Sequence, residues 1–288
     1  MPVESLWSLA PLLAIAAIGL VAGTLGGMLG VGGSVIMIPG LTLVFGYNQH
    51  LYQAAAMVVN VAVSVPAMLR HRRAGVLVPD VLQWMLPAAL VSVLLGVWVS
   101  NLPMFRSTAG AYDGSLWLGR MLAAFLVYVI VVNIIRLRDG IRYEPLEQAR
   151  VTPGRSIGIG LAMGMMSGLL GIGGGAVAVP LQQVILRLPL RQAIANSSAV
   201  ICISAGVGAI YKNVTLAQHL SPLGQPMSWH DGVLVALLLS PTAWIGGRLG
   251  ASLTHRLPIR QVRIAFILLM IVSAWKMAAI PWSDLFSK

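Results

Sequence analysis

Gly23-Thr24-Leu25-Gly26-Gly27-Met28-Leu29-Gly30-Val31-Gly32-Gly33-Ser34, followed by Pro39, breaks an apolar run that extends over residues 8–46. A second run, over residues 156–187, is broken by Gly168-Leu169-Leu170-Gly171-Ile172-Gly173-Gly174-Gly175 and then Pro180. Gly30-Val31-Gly32-Gly33 aligns with Gly171-Ile172-Gly173-Gly174, and Pro39 with Pro180, at one constant offset. The chain therefore reads as an internal duplication of about 140 residues, with residues 1–145 as a first membrane repeat and 150–288 as a second.

Around these two stretches the chain is apolar. Its 288 residues are 58% hydrophobic and 9% charged, with mean hydropathy +0.86. A soluble domain carries about 25% charged residues. Eight acids and nineteen bases cannot cover a soluble surface of this size, so lipid is the expected solvent. Six further apolar stretches, over residues 51–69, 81–102, 116–135, 192–211, 232–254 and 262–280, each suit one crossing at about 20 residues per span. The first and fifth runs are too long for a single helix, and the total stays open between eight and ten crossings. The expected fold class is an all-α integral membrane protein without a soluble domain.

The net charge of +11 does not indicate nucleic acid. Its bases sit in short clusters between apolar runs: Arg70, Arg72 and Arg73; Arg136, Arg138 and Arg142; Arg256, Arg260 and Arg263. Such clusters mark cytoplasmic loops. In the first half the loop after the second stretch is basic and the next one, around residues 102–115, is not. In the second half the order is swapped, with residues 212–230 nearly free of bases and His255-Arg256 onward rich in them. Equivalent loops then face opposite sides, the mark of an inverted repeat. Parity requires each glycine-broken run to go in and come back, as a V of two half-helices or a pair of short crossings. Eight plain crossings in two parallel repeats is the alternative.

Irregular backbone at membrane depth survives only against protein or a water-filled cavity. A half-helix starting after each break, near Ser34 and near Gly175, presents free amides and the positive end of its dipole. Two such ends converging near the midplane make a site for an anion. The candidate amide donors are at Gly30, Gly32, Gly33, Ser34, Gly171, Gly173, Gly174 and Gly175. The candidate polar side chains are Asn60, Gln182, Asn196, Ser197 and Ser198, which donate hydrogen bonds without carrying charge. Pro39 and Pro180 are expected to help fix the bends. The bland alternative is packing: Gly19, Gly23 and Gly27, like Gly160, Gly164 and Gly168, have the spacing of tight helix–helix faces.

No Asp or Glu lies in an expected span; Glu4, Asp80, Asp113, Asp139, Glu144, Glu147, Asp231 and Asp284 fall in loops or ends. Intramembrane carboxylates are the usual proton and sodium relays, so their absence counts against cation transport. Arg120, Lys212, Arg248 and Lys276 are read as snorkelling cations at span ends. His50, His71, His219, His230 and His255 are scattered through loops without ligand spacing. Lone Cys202 allows no intrachain disulfide. No cofactor, metal site or catalytic constellation is expected, and the chain is not expected to be an enzyme.

The paired glycine segments, with Ala195-Asn196-Ser197-Ser198 and Gly246-Gly247-Arg248-Leu249-Gly250, resemble the sulfite exporter TauE/SafE family, also called the toluene sulfonate uptake permease family. The likeness covers nearly the whole chain. It implies a multi-pass permease of the bacterial inner membrane that moves sulfite, sulfonates or related anions, outward in some members and inward in others; export is the expected direction here, since an inside-negative potential favours exit of an anion. The first half departs from the hydroxyl-rich turn: Met57-Val58-Val59-Asn60 stands where the second half has Asn196-Ser197-Ser198. The expected partners are the bilayer and a small anion. Oligomeric state is open, a homodimer included. A non-transporting membrane partner subunit, whose glycine faces only pack helices, is the rival reading.

Overall fold

A computed structural model describes residues 9–106, 114–138, 151–222, 224–253 and 259–278. Asp80 and Asp231 lie within them. Glu4, Asp113, Asp139, Glu144, Glu147, Asp284, the basic residues Arg142 and Arg150, and the loop with His255 and Arg256 lie outside them. So do the side chains of Arg136, Arg263 and Lys276.

Among the described residues the chain forms ten α-helices and no strand. They are α1 (Leu9–Leu29), α2 (Ser34–Phe45), α3 (Gln49–Arg73), α4 (Pro79–Ser100), α5 (Gly114–Arg138), α6 (Pro153–Leu170), α7 (Gly175–Ile185), α8 (Leu190–Val214), α9 (Trp229–Leu253) and α10 (Ile259–Ala278). Six are long and apolar enough to cross a membrane: α1, α3, α4, α5, α8 with the turn after it, and α9. This is an all-α, multi-pass membrane protein. Large apolar side chains such as Trp98, Leu237 and Trp275 point outward, which suits lipid and would be an aggregation hazard in water.

Each glycine break is a hairpin. Gly26 meets Gly32 and Gly33, Gly33 faces Ala22, and Gly40 faces Ile18. Residue numbers rise on one strand of this list as they fall on the other, so α2 folds back along α1. Gly174 meets Met163 in the same way, and α7 folds back along α6. The limbs are unequal. At about 1.5 Å per residue, the 21-residue α1 can cross the hydrocarbon, whereas the 12-residue α2 covers about half of it. The bends are made by the glycines. Gly30, Gly32, Gly171, Gly173 and Gly174 have φ between +64° and +82°, a region closed to most L-residues. Pro39 and Pro180 do not form the bends as expected; both lie inside α2 and α7, where their missing N–H only weakens the helix ladder.

The same neighbours recur in the two halves. Helix α1 packs chiefly on α9, and α6 chiefly on α4. The glycine stripes are the contact faces. A methyl on Gly23 would strike the Ala243 carbonyl, one on Gly27 the Gly247 carbonyl, one on Gly164 the Ala89 carbonyl and one on Gly168 the Val93 carbonyl. Both pairs run parallel. Helices α3 and α8, equivalent in the sequence duplication, meet at Ala54–Asn213, Met57–Gly208 and Val61–Gly206, so they run antiparallel.

Candidate functional site

The two hairpin bends touch. A Cβ at Gly175 would strike the Gly30 carbonyl, and one at Gly32 would lie 3.4 Å from the Ile172 carbonyl. Everything from Met28 to Pro39 and from Ser167 to Val179 is buried. The bends also sit halfway along the long helices. Asn60, beside Gly32 and Gly173, is near the middle of the 25-residue α3, and Ile201, beside Gly175, is near the middle of the 25-residue α8.

Asn60 fills the space between the bends. Its Oδ1 accepts the Ser34 amide at 3.1 Å, and its Nδ2 donates to Ser34 Oγ at 2.9 Å. It thereby occupies the position at the α2 N-terminus where an anion would sit. Its Nδ2 is 2.8 Å from the point a Cβ on Gly173 would take. Helix α7 differs: its N-cap Gly174 has no side chain to cap with, and Ile201 stands beside Gly175 where Asn60 stands beside Ser34. Gly174 is left-handed at φ 72° where its counterpart Gly33 is helical at φ −73°. The two helix starts are thus unequal, Asn60 bonding to one while Gly30, Val31 and Ile201 pack against the other.

An apolar cleft reaches Ala176 in the first turn of α7. Leu29 and Val31 line it beside the first bend, Ala176 and Pro180 from α7, Phe266 from α10, and Asn133 from α5 as its polar side chain.

The other expected polar residues divide. Ser197 Oγ donates to the Gly30 carbonyl at 2.8 Å, so α8 holds the first bend directly. Asn196 is occupied elsewhere: its Oδ1 accepts the Val78 amide at 2.9 Å and its Nδ2 donates to Gln182 Oε1 at 3.1 Å. Gln182 Nε2 in turn donates to the Ala193 carbonyl at 3.2 Å. This pair ties α7 and α8 to the connection before α4. Ser198 is buried beside them.

A second polar cluster gathers residues that the sequence reading had dispersed. Lys212 is fully buried. Its ammonium is 3.0 Å from His50 Nδ1 and donates to Ser100 Oγ and Asn101 Oδ1, each at 2.9 Å. His50 and His219 stack with centroids 3.6 Å apart. Both were read as loop residues and Lys212 as snorkelling, yet all three point inward. The signal in the sequence was weak: Lys212 directly follows the apolar stretch 192–211, and His50 directly precedes the stretch 51–69. Among the described residues no group of His, Cys, Asp or Glu is arranged to hold a metal.

Comparison with known proteins places these features in a family. A model described as Sulfite exporter TauE/SafE matches residues 15–277. The chain is 29% identical to "Probable membrane transporter protein MamO" of Paramagnetospirillum magneticum, over 94% of this chain and 45% of that protein. It is 25% identical to "Probable membrane transporter protein YunE" of Bacillus subtilis, over 88% of this chain and 93% of that one. A "Probable membrane transporter protein" of Haemophilus influenzae is 25% identical over 90% of this chain and 95% of its own length. This chain spans about half the length of the MamO proteins it matches.

Proposed function

Since the chain belongs to the sulfite exporter TauE/SafE family, we propose that this membrane permease moves a small sulfur-containing oxyanion, sulfite or a sulfonate, outward across the bacterial inner membrane. The observation that carries the reading is the meeting of two glycine bends at half depth, with the α7 start uncapped. An anion placed there is held by backbone amides and by the helix dipole. The glycines admit it because no Cβ stands in the way. Asn60 is the switchable partner. It caps α2 when the site is empty and can turn its Nδ2 to the anion when the site fills. Asn196, Gln182 and Ser197 hold the bends in place. An inside-negative potential of 100 mV favours exit of a monovalent anion by about 2.3 kcal/mol.

The halves are proposed to lie inverted in the bilayer, as the antiparallel run of α3 and α8 supports. The moving bodies are then not the sequential halves. Helix α9 packs on α1 and α3, and α4 packs on α6 and α8, so the halves exchange their fourth helices. Rocking occurs between α1–α2–α3–α9 and α6–α7–α8–α4, at the α3–α8 seam.

Reconstituted protein tests this. Labelled sulfite should leave loaded proteoliposomes, and a Gly173→Val variant should insert normally and transport nothing. The tight α1–α9 and α4–α6 faces would serve a non-transporting partner subunit equally well; absence of flux from the wild type for sulfite and sulfonates alike would favour that reading.

A further inference from the structure

The buried cluster around Lys212 has a charge balance that the bend site does not explain. Proton positions follow from the partners. The Phe105 carbonyl can only accept, so His50 Nε2, at 2.7 Å, carries the hydrogen and His50 Nδ1 accepts from Lys212. Asn101 Nδ2 donates to Thr215 Oγ1 at 2.8 Å. Asn101 Oδ1 is therefore an acceptor for both Lys212 and His219 Nε2, the latter at 3.0 Å. Lys212 spends its three protons on His50, Ser100 and Asn101. His219 Nδ1 is left as a buried acceptor with no hydrogen-bond partner among the described residues.

The cluster thus holds a cation and, among the described residues, no carboxylate. A charge without counter-charge in a dry site is costly. Arg106, exposed at the rim, donates from Nε to the Asn101 carbonyl at 3.3 Å and from Nη2 to Gln218 at 3.3 Å, adding a second positive charge. The charged and titratable groups facing His219 are Lys212 from α8, His50 from α3, and Arg106 after the turn at Pro103–Phe105. On α9 the Asp231 carboxylate is taken by the Ser228 amide at 2.8 Å. A field of one sign leading from an exposed rim to a buried ammonium concentrates anions.

We propose that Lys212, His50 and His219 form a second anion site, at the end of the molecule opposite the arginines that close α3, and that it takes up one small oxyanion together with one proton. The proton comes from water and bonds to His219 Nδ1, turning the orphaned acceptor into a donor aimed at the anion; no bond in the anion is broken. Anion and proton bind cooperatively because the anion offsets the positive charge that the proton adds and the protonated ring supplies the anion's donor, and the coupling is reciprocal. Without the anion, burial, Lys212 and Arg106 push His219 down to about 3, so the proton arrives only with its partner. The proton is given back when the anion moves on, so the anion crosses alone and keeps the charge on which the potential acts; this deepens the permease reading by naming how the anion is first captured, and it rests on that reading for the transport role.

Calorimetry with sulfate and methanesulfonate, neither of which titrates near neutral pH, tests it in buffers of different ionisation enthalpy. Wild-type protein should show a proton-linked component of binding, and Gly173→Val, without the bend site, should take up about one proton per anion at pH 7, with affinity falling about tenfold per pH unit above that. Lys212→Met and His219→Gln should bind at least tenfold more weakly, and His219→Gln should do so without proton uptake. His219→Gln keeps the donor toward Asn101, so it stays informative if Lys212→Met fails to fold. Gly173→Val should keep the proton-linked binding while losing transport. Proton-independent binding by Gly173→Val, an unaltered His219→Gln, or loss of all binding in Gly173→Val overturns the second site. Unchanged transport in Gly173→Val removes the bend site and leaves this one standing.

Discussion

Asn60 and Ser34 hold each other by two hydrogen bonds, one from the Ser34 amide at 3.1 Å and one to its hydroxyl at 2.9 Å. A helix start deep in the protein is thereby closed by a neutral side chain instead of an anion. Its symmetry-related partner at Gly174 has no such cap.

Asn60 should therefore be sensitive to charge more than to size. Asn60→Ala leaves the Ser34 amide buried and unpaired, a cost of about 1–3 kcal/mol, and should slow sulfite efflux about tenfold or more. Asn60→Asp keeps the cap and places a negative charge where the anion must pass. Efflux should fall below that of Asn60→Ala, while thermal stability is higher. If Asn60→Asp transports as well as wild type, the anion does not pass this residue.

Glycines of the two kinds should separate stability from transport. Gly23→Leu and Gly164→Leu push side chains into the Ala243 and Ala89 carbonyls and force apart α1–α9 or α4–α6. Overpacking of this kind costs about 1–3 kcal/mol, read as a lower melting temperature in detergent. Gly173→Ala meets only the Asn60 amide at 2.8 Å and a positive φ. A left-handed non-glycine costs about 1–2 kcal/mol, so its melting temperature should fall less than its transport rate.

Much of this was legible in the sequence because it follows from spacing. The Gly30 and Gly171 segments, their constant offset and the basic loops suffice to place the bends and the helix directions, which the α3–α8 contacts match. The glycine stripes at residues 19, 23 and 27 and at 160, 164 and 168 were legible as packing faces for the same reason. What spacing cannot give is which side chain meets which across the fold. Asn196 and Asn60 looked equivalent as polar residues in apolar runs. Only their partners, Val78 and Gln182 against Ser34, distinguish a strut from a cap. His50 lies 162 residues from Lys212 in sequence, so no local motif could join the three. The exchange of α4 and α9 between halves was hidden too, because the preferred helix partner depends on face shape over many residues.

The titration of His219 has a definite sign. Its folded value is depressed to about 3 from the ordinary 6.5, so the unfolded chain binds a proton that the folded chain refuses. Stability is lost as pH falls below 6.5, and this loss levels off near 3. His219→Gln removes that contribution. Melting temperatures measured between pH 8 and 4, in the absence of oxyanions, should fall less steeply for the variant than for wild type. Parallel profiles would show that the imidazole is not held neutral by the fold.

The exchanged helices lead to the last prediction. If the sequential halves were the moving bodies, a covalent link between α1 and α9 would join them and stop transport. If the bodies are α1–α2–α3–α9 and α6–α7–α8–α4, that link lies within one body. On a Cys202→Ser background, Gly19→Cys with Thr242→Cys places two sulfurs at neighbouring positions, since a Cβ on Gly19 reaches the Thr242 hydroxyl. Val61→Cys with Gly206→Cys spans the α3–α8 seam, where the Gly206 Cβ would sit 3.7 Å from Val61. Both pairs have separations compatible with a disulfide. Oxidation should leave sulfite efflux of the α1–α9 pair within about twofold of its reduced rate, and should stop the α3–α8 pair until reductant is added. The opposite pattern would return the motion to the sequential halves.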